Sequence, residues 1–401
     1  MDANAVHGAV APGFEAVQDA FVENYRSRGE LGAACCAYLR GEKVVDLWGG
    51  VRERSTGEPW DEGTMALVHS ATKGMAGLAV ALAHSRGLFD FNERVSAYWP
   101  EFGQEGKERT TVRQLLSHQA GLYALDVKLD RALVAEPDRL AVVLARQRPA
   151  WEPGTRQAYH GITLGFYEGE LLRRVDPRHR TLGQFFQDEI AGPLEAEFYI
   201  RLPAEVPDAR LAPLERPASM AAMLVALPLP LALAAVNPRS RFRRCLEGSE
   251  LPEEEPERVY ARNLEIPAGG GVGTARGMAR AYGEFATGGK VLGLRGETLR
   301  ELAAPAVPPA RGFRDACLKV EVQFSLGFMK PDPANPFAHP GAFGSPGTGG
   351  SFGFADPEAE IGWGYVPNRM GVHLQDPREV ALRTALYRAA GVPDPYTGAH
   401  V

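Results

Sequence analysis

Apolar positions Phe14, Val17, Phe21 and Tyr25 recur every three to four residues, a spacing that predicts an amphipathic helix between Gly13 and Arg26. The period then changes. GAACCAYLRGEKVVDLWGG (32–50) reads as two strands joined by a turn at Gly41-Glu42. The C-terminal end mirrors this. SFGFADPEAEIGWGYVPN (351–368) predicts two strands around Asp356-Pro357, and DPREVALRTALYRAAG (376–391) predicts a helix capped by Asp376 and closed by Gly391. Between roughly 86 and 294, helical patterns and Pro/Gly-rich loops dominate, as in TVRQLLSHQAG, ITLGFYEGELLRRV and TARGMARAYGEFATGG. The expected architecture is an α/β chain of the α+β type. A sheet with flanking helices, built from 1–85 and 295–401, is interrupted by a mostly helical lobe over 86–294, with a cleft between them.

Composition supports a folded chain with a large core: 401 residues, 45% of them hydrophobic and 23% charged. The net charge of -6 is dispersed, with no like-charge block beyond Glu253–Glu255, so no nucleic-acid footprint is present. Cys35 and Cys36 are adjacent while Cys245 and Cys317 are isolated, which fits neither a disulfide framework nor a zinc site. No basic cluster or continuous apolar stretch opens the sequence as written, so a cytoplasmic enzyme is expected. The apolar stretch 218–236 has the length of a membrane span, but Pro228 and Pro230 near its centre oppose one. A buried helix followed by an apolar loop is expected there, lining the pocket or a contact in a homo-oligomer.

Chemistry concentrates in ALVHSATKGMAGLAVALAHSRG (66–87). Met75, Leu78, Ala79 and Leu82 repeat at helical spacing, which puts Ser70 at a helix N-terminus, where free N–H groups favour a developing oxyanion. Lys73 follows one turn later on the same face. Among apolar neighbours its ammonium is poorly solvated, which lowers its pKa and suits it to act as a base. Tyr159, before the helical ITLGFYEGELLRRV stretch, offers a phenol whose pKa a nearby lysine cation would depress. HPGAFGSPGTGGSFGFADPE (339–358) places glycines before a strand, where exposed N–H donors could form an oxyanion hole. His69 is adjacent to Ser70 and so does not face it on a helix. His118 reads as a structural residue beneath the site. GGGVGT (269–274) follows no apolar strand and so is no dinucleotide loop, although Gly271 could border the pocket.

In this order and spacing, these segments resemble the serine β-lactamase and penicillin-binding-protein superfamily, in particular its class C-like branch with the family VIII carboxylesterases. Ser70-Ala71-Thr72-Lys73 matches its Ser-x-x-Lys motif, Tyr159-His160-Gly161 its Tyr-x-Asn, and Ser345-Pro346-Gly347 its Lys-Thr-Gly or His-x-Gly box. TVRQLLSHQAGL, WEPGT, PAGGGVGTARGMARAYG and GGSFGFADPE look like the esterase branch, and the likeness runs from about Phe14 to about Arg388. The resemblance implies that Ser70 attacks an acyl carbon, Lys73 and Tyr159 share base and acid duty, and the N–H groups of Ser70 and Thr348 hold the oxyanion. His160, Gly161, Ser345 and Gly347 would line the substrate pocket. No metal or organic cofactor is implied.

Two departures bear on substrate. Gly161 replaces an Asn that contacts the substrate amide in β-lactamases, and Ser345 replaces a Lys that attracts its carboxylate; each lost anchor could be worth about 1 to 3 kcal/mol. His339-Pro340-Gly341 is a second, poorer fit to the His-x-Gly box. The expectation is a hydrolase of small, uncharged, short-chain esters with weak β-lactam hydrolysis allowed. Acyl transfer to an alcohol or amine of a secondary metabolite is the alternative within the same chemistry, and a non-catalytic binding protein is the alternative outside it.

Overall fold

The alternation of small and large residues in IGWGYVP explains how the sheet is covered. In the computed structural model, which describes residues 6–217, 224–225, 227–373 and 375–393, this segment is β12 (Ile361–Pro367) near the middle of a nine-stranded sheet. The strand order is β1 (Val6–Val10), β3 (Glu42–Glu53), β2 (Gly32–Leu39), β12, β11 (Phe352–Asp356), β10 (Phe343–Pro346), β9 (Phe328–Lys330) and β8 (Gln323–Ser325), with β4 (Glu58–Pro59) on β3. Every pairing is antiparallel. The β2–β3 hairpin turns at Arg40-Gly41, one residue earlier than the sequence suggests, with φ of 54° and 83°. Positive φ at both turn residues is what the type I′ turn of a two-residue hairpin requires.

Side chains of successive strand residues point to opposite faces. Trp363 and Tyr365 of β12 join the core under α1 (Glu15–Ser27) and the C-terminal helix Pro377–Ala389, together with Val17, Phe21, Leu382 and Tyr387. Gly362 and Gly364 face the other side, where helix Ala275–Ala286 lies so close that a Cβ on Gly362 would sit 2.2 Å from the Gly283 nitrogen. This helix therefore packs on the sheet, although it falls within 86–294, the stretch expected to form the helical lobe. Its small residues allow a backbone approach that their helical period does not reveal. The same alternation sends Cys35 and Cys36 into different cores; all four cysteines are free and buried.

In chain order the remaining helices that bear on the site are α2 (Thr72–Ser85), α3 (Thr163–Val175), α4 (Leu229–Val236) and α5 (Arg241–Cys245), so Ala275–Ala286 is α6 and Pro377–Ala389 is α7. All fourteen residues of α2 are buried, between α3 on the lobe side and β10 and α6 on the sheet side. A short sheet, β5 (Ala66–Leu67), β7 (Val272–Gly273) and β6 (Phe198–Tyr199), leads into α2.

The 218–236 stretch departs from expectation. Residues 218–223 and 226, where the helix ahead of the prolines is expected, lie outside the described residues; where an apolar loop is expected after them, a helix forms, with Pro228 flanking α4 and Pro230 in its first turn, where a missing N–H costs nothing. This helix is only half covered, since Leu229, Leu233 and Val236 are mostly exposed. Among the described residues no helix is long and apolar enough to cross a membrane.

Candidate active site

Ser70 lies in a single 3-10 turn, His69–Ala71, immediately before α2. His69 takes φ of 46°, a conformation uncommon for a residue with a Cβ, which turns the chain sharply into the helix. Lys73 Nζ lies 3.2 Å from Ser70 Oγ, and the Tyr159 hydroxyl donates to the same Oγ at 2.8 Å. The three polar ends that the sequence separates by up to 89 positions thus meet at one atom.

Lys73 is 2% exposed, and its Nζ also donates to the carbonyls of Gly161 at 2.6 Å and Ala268 at 2.7 Å. Burial lowers its pKa from the ordinary lysine value to about 7, against an opposing pull from Glu168. A neutral amine has two N–H bonds and one lone pair. With both N–H bonds given to the two carbonyls, the lone pair is left facing Ser70 Oγ. Neither carbonyl carries a sequence signal, because any residue supplies one.

The phenol behaves differently from the sequence-based expectation. Tyr159 packs against Phe324 and His118, and burial raises its pKa, so it holds its proton near neutrality. A depressed phenol pKa required a lysine cation beside it. The buried lysine, 4.9 Å from the ring centroid, is instead pushed toward neutrality.

Thr348 lies in the turn after β10, and its amide, like that of Ser70, is given to no described residue. Gly347 holds this turn against the one that carries Ser70: a Cβ there would lie 2.1 Å from the Val68 carbonyl oxygen, to which the Ser351 hydroxyl donates at 2.8 Å. From the other side Arg378 donates to the Gly349 carbonyl at 3.1 Å and pairs with Asp376 and Glu30, anchoring the turn to the start of α7.

Ser345 is buried on β10 and its hydroxyl donates to the Ser70 carbonyl at 2.7 Å, so it braces the backbone at Ser70. His339 lies elsewhere, with Nδ1 2.7 Å from Asp356. The two candidates for the box are therefore separated by position. His160 does not line the pocket as expected. It is fully buried, with Nε2 accepting from the Leu122 amide and Nδ1 donating to the Ala158 carbonyl, because both ring nitrogens serve the loop that carries Tyr159. His118 Nδ1 accepts from the His160 amide beneath them. Gly271 is buried too and donates to Thr72 Oγ1, which ties it to the turn at Ser70 and not to open space.

Gly161 is more than a missing asparagine. A Cβ at this position would lie 2.3 Å from the Cys245 carbonyl oxygen, so the end of α5 fills the space that a side chain would need. Gly161→Asn is expected to destabilise the fold by about 1–3 kcal/mol, as overpacking does, without creating β-lactam hydrolysis. Thermal melting and nitrocefin turnover check this; a stable variant that gains nitrocefin hydrolysis would refute the steric account.

Glu168 went unread in the sequence. It sits on the buried stripe of α3 with Leu164 and Leu171, and an acid inside an apolar stripe is the signal that marks it. Neither of its carboxylate oxygens has a hydrogen-bond partner, and it lies against Gly327. Burial raises its pKa to about 8, while Lys73 draws it down. The carboxylate form favours the Lys73 ammonium, so its removal favours the free amine. Glu168→Gln should therefore move the acidic limb of the pH–rate profile to lower pH, and a limb that stays in place or rises would show that the two groups are uncoupled.

The family model described as Beta-lactamase matches residues 15–386. The chain is 35% identical over 371 residues to the esterase/beta-lactamase LipL of Mycobacterium tuberculosis, covering 91% of this chain and 83% of that protein. A family VIII carboxylesterase superimposes with a TM-score of 0.80 at 36% identity, over 96% of this chain and 99% of that one. EstA from Arthrobacter nitroguajacolicus Rue61a does so with 0.81 at 34% identity, over 96% and 98%. With a serine hydroxyl held between a buried amine and a phenol, and a family match across nearly its whole length, this chain belongs to the beta-lactamase family and is a serine hydrolase.

Proposed function

We propose that this enzyme hydrolyses uncharged carboxylic esters with short acyl chains through an acyl-enzyme on Ser70. The observation that carries this reading is the placement of Ser70 Oγ within hydrogen-bond distance of both Lys73 Nζ and the Tyr159 hydroxyl. Neutral Lys73 takes the Ser70 proton as Oγ attacks the acyl carbon, and the negative charge that forms on the carbonyl oxygen is held by the Ser70 and Thr348 amides. Tyr159, holding its proton, passes it to the departing alkoxide, and the Lys73 ammonium restores the phenol's proton. Water then attacks the acyl carbon, gives a proton back through the same pair, and releases the acid and free Ser70.

Ester is favoured over β-lactam because the two polar anchors are gone. Gly161 has no room for a side chain, and Ser345 is turned to the Ser70 backbone. Tyr159 belongs to an apolar cluster with Tyr123, Trp151, Phe242 and Leu246, which suits an uncharged substrate. LipL carries both activities in its name; in this chain kcat/KM for p-nitrophenyl butyrate is expected to exceed that for nitrocefin by about 100-fold or more, the size of two lost anchors. The same assay with added n-butanol distinguishes hydrolysis from acyl transfer. Butyric acid should remain the main product; butyl butyrate as the main product would replace hydrolysis by acyl transfer, and nitrocefin as the better substrate would overturn the ester preference.

A further inference from the structure

Helix α4 turns apolar side chains outward. Leu229, Leu233 and Val236 are 72%, 60% and 60% exposed, and Val225 just upstream is 86% exposed. Spacings of four and three residues put the three helical side chains on one face, while Leu231 and Ala234 hold the other face against the protein. Four arginines follow within six residues: Arg239, Arg241, Arg243 and Arg244. The first three are exposed, and Arg239 and Arg243 make no ion pair with a described residue. Arg241 lies over the Trp151 ring at 5.8 Å, and Arg244 pairs with Asp126 at 3.1 Å. Between this segment and Lys319 opens a cleft of about 530 Å³, lined by Arg239, Arg241, Arg244, Tyr123 and Leu233 among others and by no acidic residue.

We propose that α4 and the arginine run after it form a docking surface for an anionic lipid bilayer. The Leu229, Leu233 and Val236 face enters the boundary between headgroups and acyl chains, and the arginines and the cleft take lipid phosphates. An apolar helical face beside a basic run is the combination that binds such a surface, by apolar burial together with attraction to anionic lipid. A second copy is a poorer occupant, because a two-fold contact through this face would bring two arginine runs together. An acidic protein is poorer as well, because the apolar face is aliphatic and lacks the aromatic anchors that dominate protein contacts. The carbonyl of Cys245, at the end of α5, abuts Gly161 in the site, so a docked bilayer lies beside Ser70 and ester-bearing amphiphiles become the substrate class. Only this last step rests on the hydrolase reading; the docking itself does not.

The full chain carrying Ser70→Ala, which cannot consume lipid, is the form to sediment with vesicles of phosphatidylcholine alone and with about one third phosphatidylglycerol. Binding is expected on the anionic vesicles and should weaken steeply with salt. Arg239→Ala with Arg243→Ala should weaken it about 30-fold, at roughly fivefold per arginine. Leu229→Ser, Leu233→Ser and Val236→Ser together should abolish it. In the Ser70 background both sets should keep p-nitrophenyl butyrate hydrolysis, and the arginine pair keeps the test decisive if the serine triple does not fold. Failure to sediment with anionic vesicles, equal sedimentation with neutral ones, or a dimer by light scattering that the serine triple converts to monomer would each overturn the proposal.

Discussion

Ser70→Ala is expected to lower p-nitrophenyl butyrate hydrolysis by about 10⁴-fold or more while leaving the fold intact. Removing a serine nucleophile costs on that scale, because neither the base nor the oxyanion donors can act without the atom that attacks. The fold should tolerate the change. Ser70 Oγ takes part in two hydrogen bonds, one with Lys73 Nζ and one from the Tyr159 hydroxyl, while the Ser345 bond that braces the turn goes to the Ser70 backbone and survives. The loss of a partner for the phenol should cost about 1 kcal/mol. Mass spectrometry after treatment with a fluorophosphonate gives an independent reading: the unmodified enzyme gains one adduct and the variant gains none. An adduct on the alanine variant would place the nucleophile elsewhere.

Lys73→Met and Tyr159→Phe should each lower acylation by two or more orders of magnitude, the scale of general acid–base catalysis. The lysine prediction has a sign as well as a size. Lys73 must be neutral to accept the Ser70 proton, and burial sets its pKa at about 7. kcat/KM should therefore rise with pH, reach half its maximum near 7 and level off above. Lys73→Met should remove that limb along with the rate, whereas Tyr159→Phe should keep the limb at reduced rate, since the raised phenol pKa keeps it a proton donor throughout the limb. Less than a tenfold loss in either variant would mean that the proton takes another route.

The lysine was legible early because both of its determinants are local. One helical turn separates it from Ser70, and apolar neighbours in the same helix desolvate it. The phenol was legible as a candidate but not in its charge state, because that depends on whether its neighbour is an ammonium or an amine. Glu168 lies on a stripe that could have revealed it. Ala268 and Gly161 contribute carbonyls that no residue type announces. The misplacement of α6 has the same origin, since its spacing identifies a helix and only the glycines of β12 identify what it packs on.

From residue order alone came the terminal strands, the helices beside them, the Ser-x-x-Lys turn and the tyrosine that completes it, because periodicity, capping and motif spacing are properties of neighbouring residues. Tertiary structure alone decided the rest. It turned His160 inward to serve a loop, filled the side-chain space at Gly161 with the backbone of Cys245, aimed two distant carbonyls at Lys73 so that its lone pair meets the serine, and left α4 facing outward. Burial and hydrogen-bond partners are set by segments far apart in the chain, and it is these that fix protonation and pocket shape.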